Sequence, residues 1–143
     1  MSDERPGTAA IPDLTTANAF GAATGFRASG VSGERVTGTV ELGPEQHTPW
    51  GVVHGGVYCA VVEAAASLGA SAAVADEGKF AVGVNNSTDF LRSMTAGRLE
   101  VLAEPVHQGR TQQLWQVRLT RADDGKLVAR GQVRLQNIRL PRR

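Results

Sequence analysis

Cysteine is nearly absent: Cys59 stands alone among 143 residues. No intrachain disulfide and no cysteine-built zinc site can form, and Cys59 reads as a small buried hydrophobe. Histidine is also scarce. His47, His54 and His107 are the three, and their spacing matches no metal motif, so neither a metal nor a cofactor is expected. His47 and His107 stand apart from any visible acid or nucleophile, which leaves a Ser-His-Asp triad without support. Nor is there an excess of one charge. Fifteen basic and fourteen acidic residues give a net charge of +1. The one basic cluster, Arg139, Arg142 and Arg143, reads as a tail and not as a nucleic-acid footprint. The opening residues Met1 to Pro6 lack the basic start and apolar run of a secretory signal, so a reducing cytoplasm is expected.

What the chain does have is 41% hydrophobic and 20% charged residues, the composition of one soluble globular domain. Its longest apolar stretch covers residues 52–75. About 20 apolar residues would span a membrane. Here Gly55-Gly56 opens the run, Glu63 sits near its middle, and alanine far outnumbers leucine. An intramembrane carboxylate would be costly. A helix inside a globular core is the expectation, with no membrane partner.

Residues 1–11 have no periodicity and are expected to be flexible, 12–138 to form the domain, and 139–143 a basic tail. A short helix is expected over Pro12–Ala23 and turn residues over Thr24–Gly33. From Arg35 to Leu42 the alternation of Val36, Gly38, Val40 and Leu42 with polar residues marks a half-buried strand. A loop carrying Pro44 and Pro49 leads to the long helix, with Gly78 as its cap. Four strands follow: Phe80–Leu91, Leu99–Val106, Thr111–Arg121 and a last one alternating through Leu127, Ala129, Gly131, Val133 and Leu135. Asp123-Asp124-Gly125-Lys126 signals a hairpin. One strand or a hairpin, a long helix, then a four-stranded meander predicts an α+β fold. The expectation is a single hotdog domain, a curved antiparallel sheet wrapped around one central helix.

The segment Gly51-Val52-Val53-His54-Gly55-Gly56 leads straight into that helix. The first amides of a helix lack intrahelical partners and point at a partly positive terminus. Two glycines let a ligand oxygen approach them, as a developing oxyanion would require. The pair alone serves a tight turn equally well. Glu63 adds weight. Gly56, Cys59, Ala60, Glu63, Ser67 and Ser71 share one helical stripe, and a lone carboxylate on a buried small-residue face is a candidate for catalysis. Ser67, one turn on, could hold a water or the carboxylate. His54 could touch substrate, although a histidine turning a loop into a helix is more often structural. Asn85, in the polar run Asn85-Asn86-Ser87, could face a site or a subunit edge.

His54-Gly55-Gly56 followed by Glu63 resembles the PaaI-like (phenylacetate-degradation) branch of the 4-hydroxybenzoyl-CoA thioesterase superfamily. Asp89-Phe90-Leu91-Arg92 and the run from Asp124 to Ala129 carry the same likeness, over roughly residues 35–137. The resemblance implies a small or medium, even aromatic, acyl-CoA as substrate. It also implies a Gly55 amide on the thioester oxygen, Glu63 as base or nucleophile, and Ser67 beside the attacking water. The family often places Asn or Gln where this chain has Thr48, so the second contact to that oxygen would fall to Gln46, His47 or Asn85. Gly55 and Glu63 are eight residues, about 12 Å, apart on one helix, so a shared site in a homodimer, in turn part of a dimer of dimers, is expected. The alternative is a non-catalytic acyl-CoA-binding or sensor domain on the same scaffold.

Overall fold

The computed structural model describes residues 18–141. The flexible segment expected over 1–11 and the first half of the helix expected from Pro12 lie outside them. A short helix α1 occupies Ala19–Thr24, and strands β1 (Phe26–Val31) and β2 (Val36–Leu42) follow. The long helix α2 spans Gly55–Val74. Four strands complete the chain: β3 (Lys79–Phe90), β4 (Gly97–Gln108), β5 (Gln112–Arg121) and β6 (Leu127–Arg139). They form one six-stranded antiparallel sheet in the order β1-β2-β4-β5-β6-β3, packed against α2. This is the hotdog arrangement.

Alternation decides the sheet's inner face. Val36, Val40 and Leu42 of β2, Trp115, Val117 and Leu119 of β5, and Ala129, Val133 and Leu135 of β6 are all buried. Against them α2 turns Val61, Val62, Ala65, Ala66 and Ala70. The helix is long and apolar enough to cross a membrane by length and composition alone. Here it packs against every strand of the sheet and forms the core.

Small residues set the distance. A side chain on Gly69 would fall 2.4 Å from Cη2 of Trp115, and one on Gly131 would fall 2.8 Å from Cγ1 of Val62. Polar pins hold the layers in register. Gln113 is 1% exposed; its Nε2 donates to the Ala70 carbonyl and to Asn137 Oδ1, both at 2.9 Å. Its Oε1 accepts from the Trp115 indole at 2.8 Å. A buried amide with all these partners is satisfied and fixes one packing of helix on sheet. At the far end of α2, Ser71 Oγ accepts from the Ala81 amide at 3.0 Å.

Three expectations need correction. The last four strands are not a simple meander. β3 pairs with β6 from Lys79↔Arg139 to Phe90↔Ala129 and lies at the sheet edge. The segment after it makes no tight turn into β4. The Leu91 and Arg92 amides donate to the Val128 carbonyl, and the Met94 carbonyl accepts from Val53. The turn expected over Thr24–Gly33 contains β1, which pairs with β2 despite its unpatterned Ser and Gly. Arg139, placed in a tail, is the last residue of β6.

The expected cap at Gly78 is present. α2 ends at Val74, a 3-10 turn covers Ala75–Glu77, and Gly78 takes the left-handed conformation with φ 69°. In the β5–β6 turn Asp124 accepts from Arg121 and from the Lys126 amide. Those contacts, the guanidinium first, hold its carboxyl down at about 2. The turn therefore keeps this pairing in mildly acidic solution and loses it as the pH falls through that value.

Gly69→Ala should test the helix–sheet distance. Trp115 is fully buried and cannot swing away, so overpacking should destabilise the fold by about 1–3 kcal/mol in urea unfolding. A variant as stable as the parent would show that the core is looser than this contact implies.

Candidate active site

The approach to α2 is fixed before the helix begins. His47 and Val53 form a bridge, the Thr48 amide donates to Val52 at 2.7 Å, and Gly51 turns the chain with φ 80°. Val53 is tied to Met94, and the His54 amide donates to the Gln46 carbonyl at 2.8 Å. His54 is the N-cap, its Nδ1 accepting from the Gly56 amide at 2.8 Å. That bond places the proton of a neutral His54 on Nε2. It also commits the Gly56 amide. Among the described residues the Gly55 amide has no hydrogen-bond acceptor. It stands at the positive end of a 20-residue helix, beside the Phe90 ring.

Glu63 lies two turns further on. It is exposed in the single chain, contrary to the expectation of a buried face. The sheet wraps the side of α2 bearing Val61, Val62, Ala65 and Ala66, and the small-residue stripe is only partly covered, with Gly56 and Glu63 exposed. β3 runs beside that stripe. Glu63 Oε1 accepts from Asn86 Nδ2 at 3.3 Å, and the same amide donates to the Cys59 carbonyl at 3.0 Å. Asn86 Oδ1 accepts from the Thr88 hydroxyl at 2.6 Å, which fixes the amide's orientation. Gly83 leaves room for the carboxylate, since a side chain there would sit 3.3 Å from Glu63 Cδ.

Asn86 was missed in favour of Asn85, and the reason is a bulge. The β3–β6 register shifts between Gly83 and Asn85. Strict alternation from Gly83 would bring Asn85 to the helix side. One extra residue, the exposed Val84, brings Asn86 there and leaves Asn85 exposed on the opposite face. Two polar residues in succession were the only available signal.

An open depression of about 430 Å³ surrounds the carboxylate, lined by Phe20, Cys59, Ala60, Glu63, Ala64, Ser67 and Asn86. The structure thus brings Glu63 and Ser67 together. It does not bring them to Gly55, Gly56, His54 or Thr48 at the other end of the site. Thr48 Oγ1 accepts from the Trp50 amide at 3.2 Å. Gln46 accepts from Gly43 and donates to the Ala23 carbonyl, and His47 Nε2 meets the Thr95 carbonyl at 2.6 Å. Gln46 and His47 therefore hold the loop. On the inner side of α2, burial raises the Tyr58 phenol above its usual value, which keeps it neutral.

A family model for the thioesterase superfamily matches residues 51–128, from the glycine turn before α2 into β6. The chain belongs to the thioesterase superfamily. It is 57% identical over 90 residues to "Putative esterase Rv1847" of Mycobacterium tuberculosis, a match covering 62% of this chain and 64% of that one. The chain thus spans just under two thirds of that relative's length. The solved structure of the same protein superposes with a TM-score of 0.80 at 45% identity, covering 84% of this chain and 96% of that chain. A 1,4-dihydroxy-2-naphthoyl-CoA thioesterase of Arabidopsis thaliana is 39% identical over 100 residues, 68% of this chain and 62% of its own.

Asn86→Ala should leave Glu63 without its only side-chain partner among the described residues. For a thioester turned over at this site, kcat should fall about 10-fold with KM within about twofold, as misorientation of a reacting group does. An unchanged kcat would mean that Glu63 is oriented without Asn86.

Proposed function

We propose that this chain is an acyl-CoA thioesterase whose Glu63 carboxylate drives hydrolysis at a site completed by a second copy of the chain. The observation that carries the reading is Glu63 held by Asn86 at the mouth of a depression, within a fold and family of thioesterases. The Gly55 amide takes the thioester carbonyl oxygen, and His54 keeps the helix start in shape. Water, held beside Glu63 and Ser67, attacks the carbonyl carbon while Glu63 accepts its proton. The C–S bond then breaks, and the CoA sulfur takes up the proton. Direct attack by Glu63 to give an anhydride follows the same geometry. A cytoplasmic setting and a small or medium acyl group go with this reading, and the PaaI-like branch rests on the motif likeness.

The second copy follows from distance. Gly55 and Glu63 are about 12 Å apart along α2, whereas attack needs reacting atoms about 3–3.5 Å apart. β3 is a sheet edge of twelve residues with no strand on its outer side among the described residues. It runs beside the exposed stripe of α2, through Asn86 with Cys59 and Ala81 with Ser71. A two-fold partner pairing along β3 would bring the helices together antiparallel, Gly55 of each chain facing the carboxylate of the other. A dimer of dimers goes with the family resemblance.

Glu63→Gln should lower kcat at least about 10²-fold against a panel of acyl-CoAs. Near-parental turnover by the folded variant would sink the assignment. Sharing is tested by co-refolding Glu63→Gln with Gly55→Pro. His54 already has the extended backbone, ψ 130°, that a following proline requires, and the exposed Phe90 ring beside Gly55 must yield to its Cβ. Each mixed dimer keeps one intact site, so random pairing should restore about a quarter of parental activity. Verified mixed dimers that stay inactive would refute a shared site.

A further inference from the structure

We propose that Phe20 selects the acyl group, favouring a planar aromatic acid over an aliphatic one of similar size. This rests on the reading of Glu63 as the thioesterase carboxylate. Phe20 belongs to α1, a helix of six residues, too short to hold itself. It is tied down instead. Asn18 Oδ1 caps the Gly21 amide at 2.7 Å, and the buried Thr24 donates to the Gly21 carbonyl at 2.6 Å. Gly25 ends the helix with φ 82°, where a side chain would fall 2.4 Å from the Glu41 carbonyl oxygen. Gln46, from the loop that leads into α2, donates to the Ala23 carbonyl at 3.3 Å. α1 is thereby fastened to β2 and to the approach to the site, and Phe20 is a placed residue.

Its ring is 72% exposed, yet it lines the depression that holds Glu63. The other apolar walls are the small Cys59, Ala60 and Ala64, with Asn86 and Ser67 among the polar ones. Among the described residues Phe20 therefore offers the depression its one large apolar surface. Any acyl group gains by covering it. An aromatic group gains further from offset or edge-to-face ring contact. It also has almost no torsions to freeze on binding, whereas an alkyl chain has several.

The test compares kcat/KM for benzoyl-CoA and hexanoyl-CoA in the parent, Phe20→Leu and Phe20→Ala. Leucine keeps apolar bulk and removes the ring. Phe20→Leu should lose about 3- to 10-fold on benzoyl-CoA and stay within about twofold on hexanoyl-CoA. Phe20→Ala should lose on both, more on benzoyl-CoA. Equal losses on the two substrates with Phe20→Leu, or none, overturn the proposal. Calorimetry in a Glu63→Gln background separates selection from hydrolysis. There Phe20→Leu should weaken benzoyl-CoA binding by a similar factor and leave CoA binding unchanged. If the parent hydrolyses no member of the acyl-CoA panel but this difference appears, the hydrolytic reading falls and the role of Phe20 stands. If the binding ratio does not move, Phe20 is no selector, whatever the kinetics. A change in oligomeric state on Phe20→Leu, seen by light scattering, would make Phe20 a subunit contact and also overturn the proposal.

Discussion

In the C-terminal third of α2 the Trp115 ring occupies the space where a side chain of Gly69 would be, with its indole N–H held by Gln113. Gln113 in turn reaches the Ala70 carbonyl, one residue further along the helix. One contact thus sets both the depth of the helix in the sheet and its rotation about its own axis. Rotation decides function here. It commits Val61, Val62, Ala65 and Ala66 to the core, and the stripe carrying Gly56, Cys59, Glu63 and Ser67 is left outside. The same run of small residues serves both ends, close packing on one side and an open depression on the other.

The strongly patterned elements were legible in the chain. β2, β5 and β6 alternate cleanly, and the inward residues named for them are buried where they matter most, at Val36, Trp115, Leu119, Val133 and Leu135. α2 announced itself by length and by its glycine start. What escaped was whatever periodicity does not encode. β1 is a six-residue edge strand of mixed Ser, Gly and Arg, held by pairing to β2. That β3 pairs with β6 and not with β4 is a matter of topology, on which alternation is silent.

The site was half legible for the same reason. A helical wheel identifies a stripe but not what lies over it, so Glu63 was placed on the helix, while this chain's own sheet leaves exposed a residue expected on a buried face. A period-two reading of β3 cannot foresee a bulge, and one inserted residue exchanged Asn85 for Asn86. Phe20 could not have been connected with Glu63 at all. The two are 43 positions apart in the chain, and they meet through ties between α1, Gln46 and β2 that leave no pattern in the sequence.

The loop before α2 constrains the chemistry most sharply. Gln46 and His47 are both engaged in holding its shape, the Thr48 oxygen accepts from Trp50, and the Gly56 amide is capped by His54. At the helix start the Gly55 amide is left free among the described residues, and under the proposed mechanism it takes the developing oxyanion. A single such donor contributes about 10²–10³ in rate where it has been removed from acyl-transfer enzymes. Under that mechanism the rest of the acceleration comes from the direction in which Glu63 faces the water. A carboxylate exposed on a helix surface has rotamers to lose. Asn86, braced by Thr88 and tied to the Cys59 carbonyl, restricts them before substrate arrives. Under the proposed mechanism an asparagine one position past a bulge thus orients the reacting carboxylate.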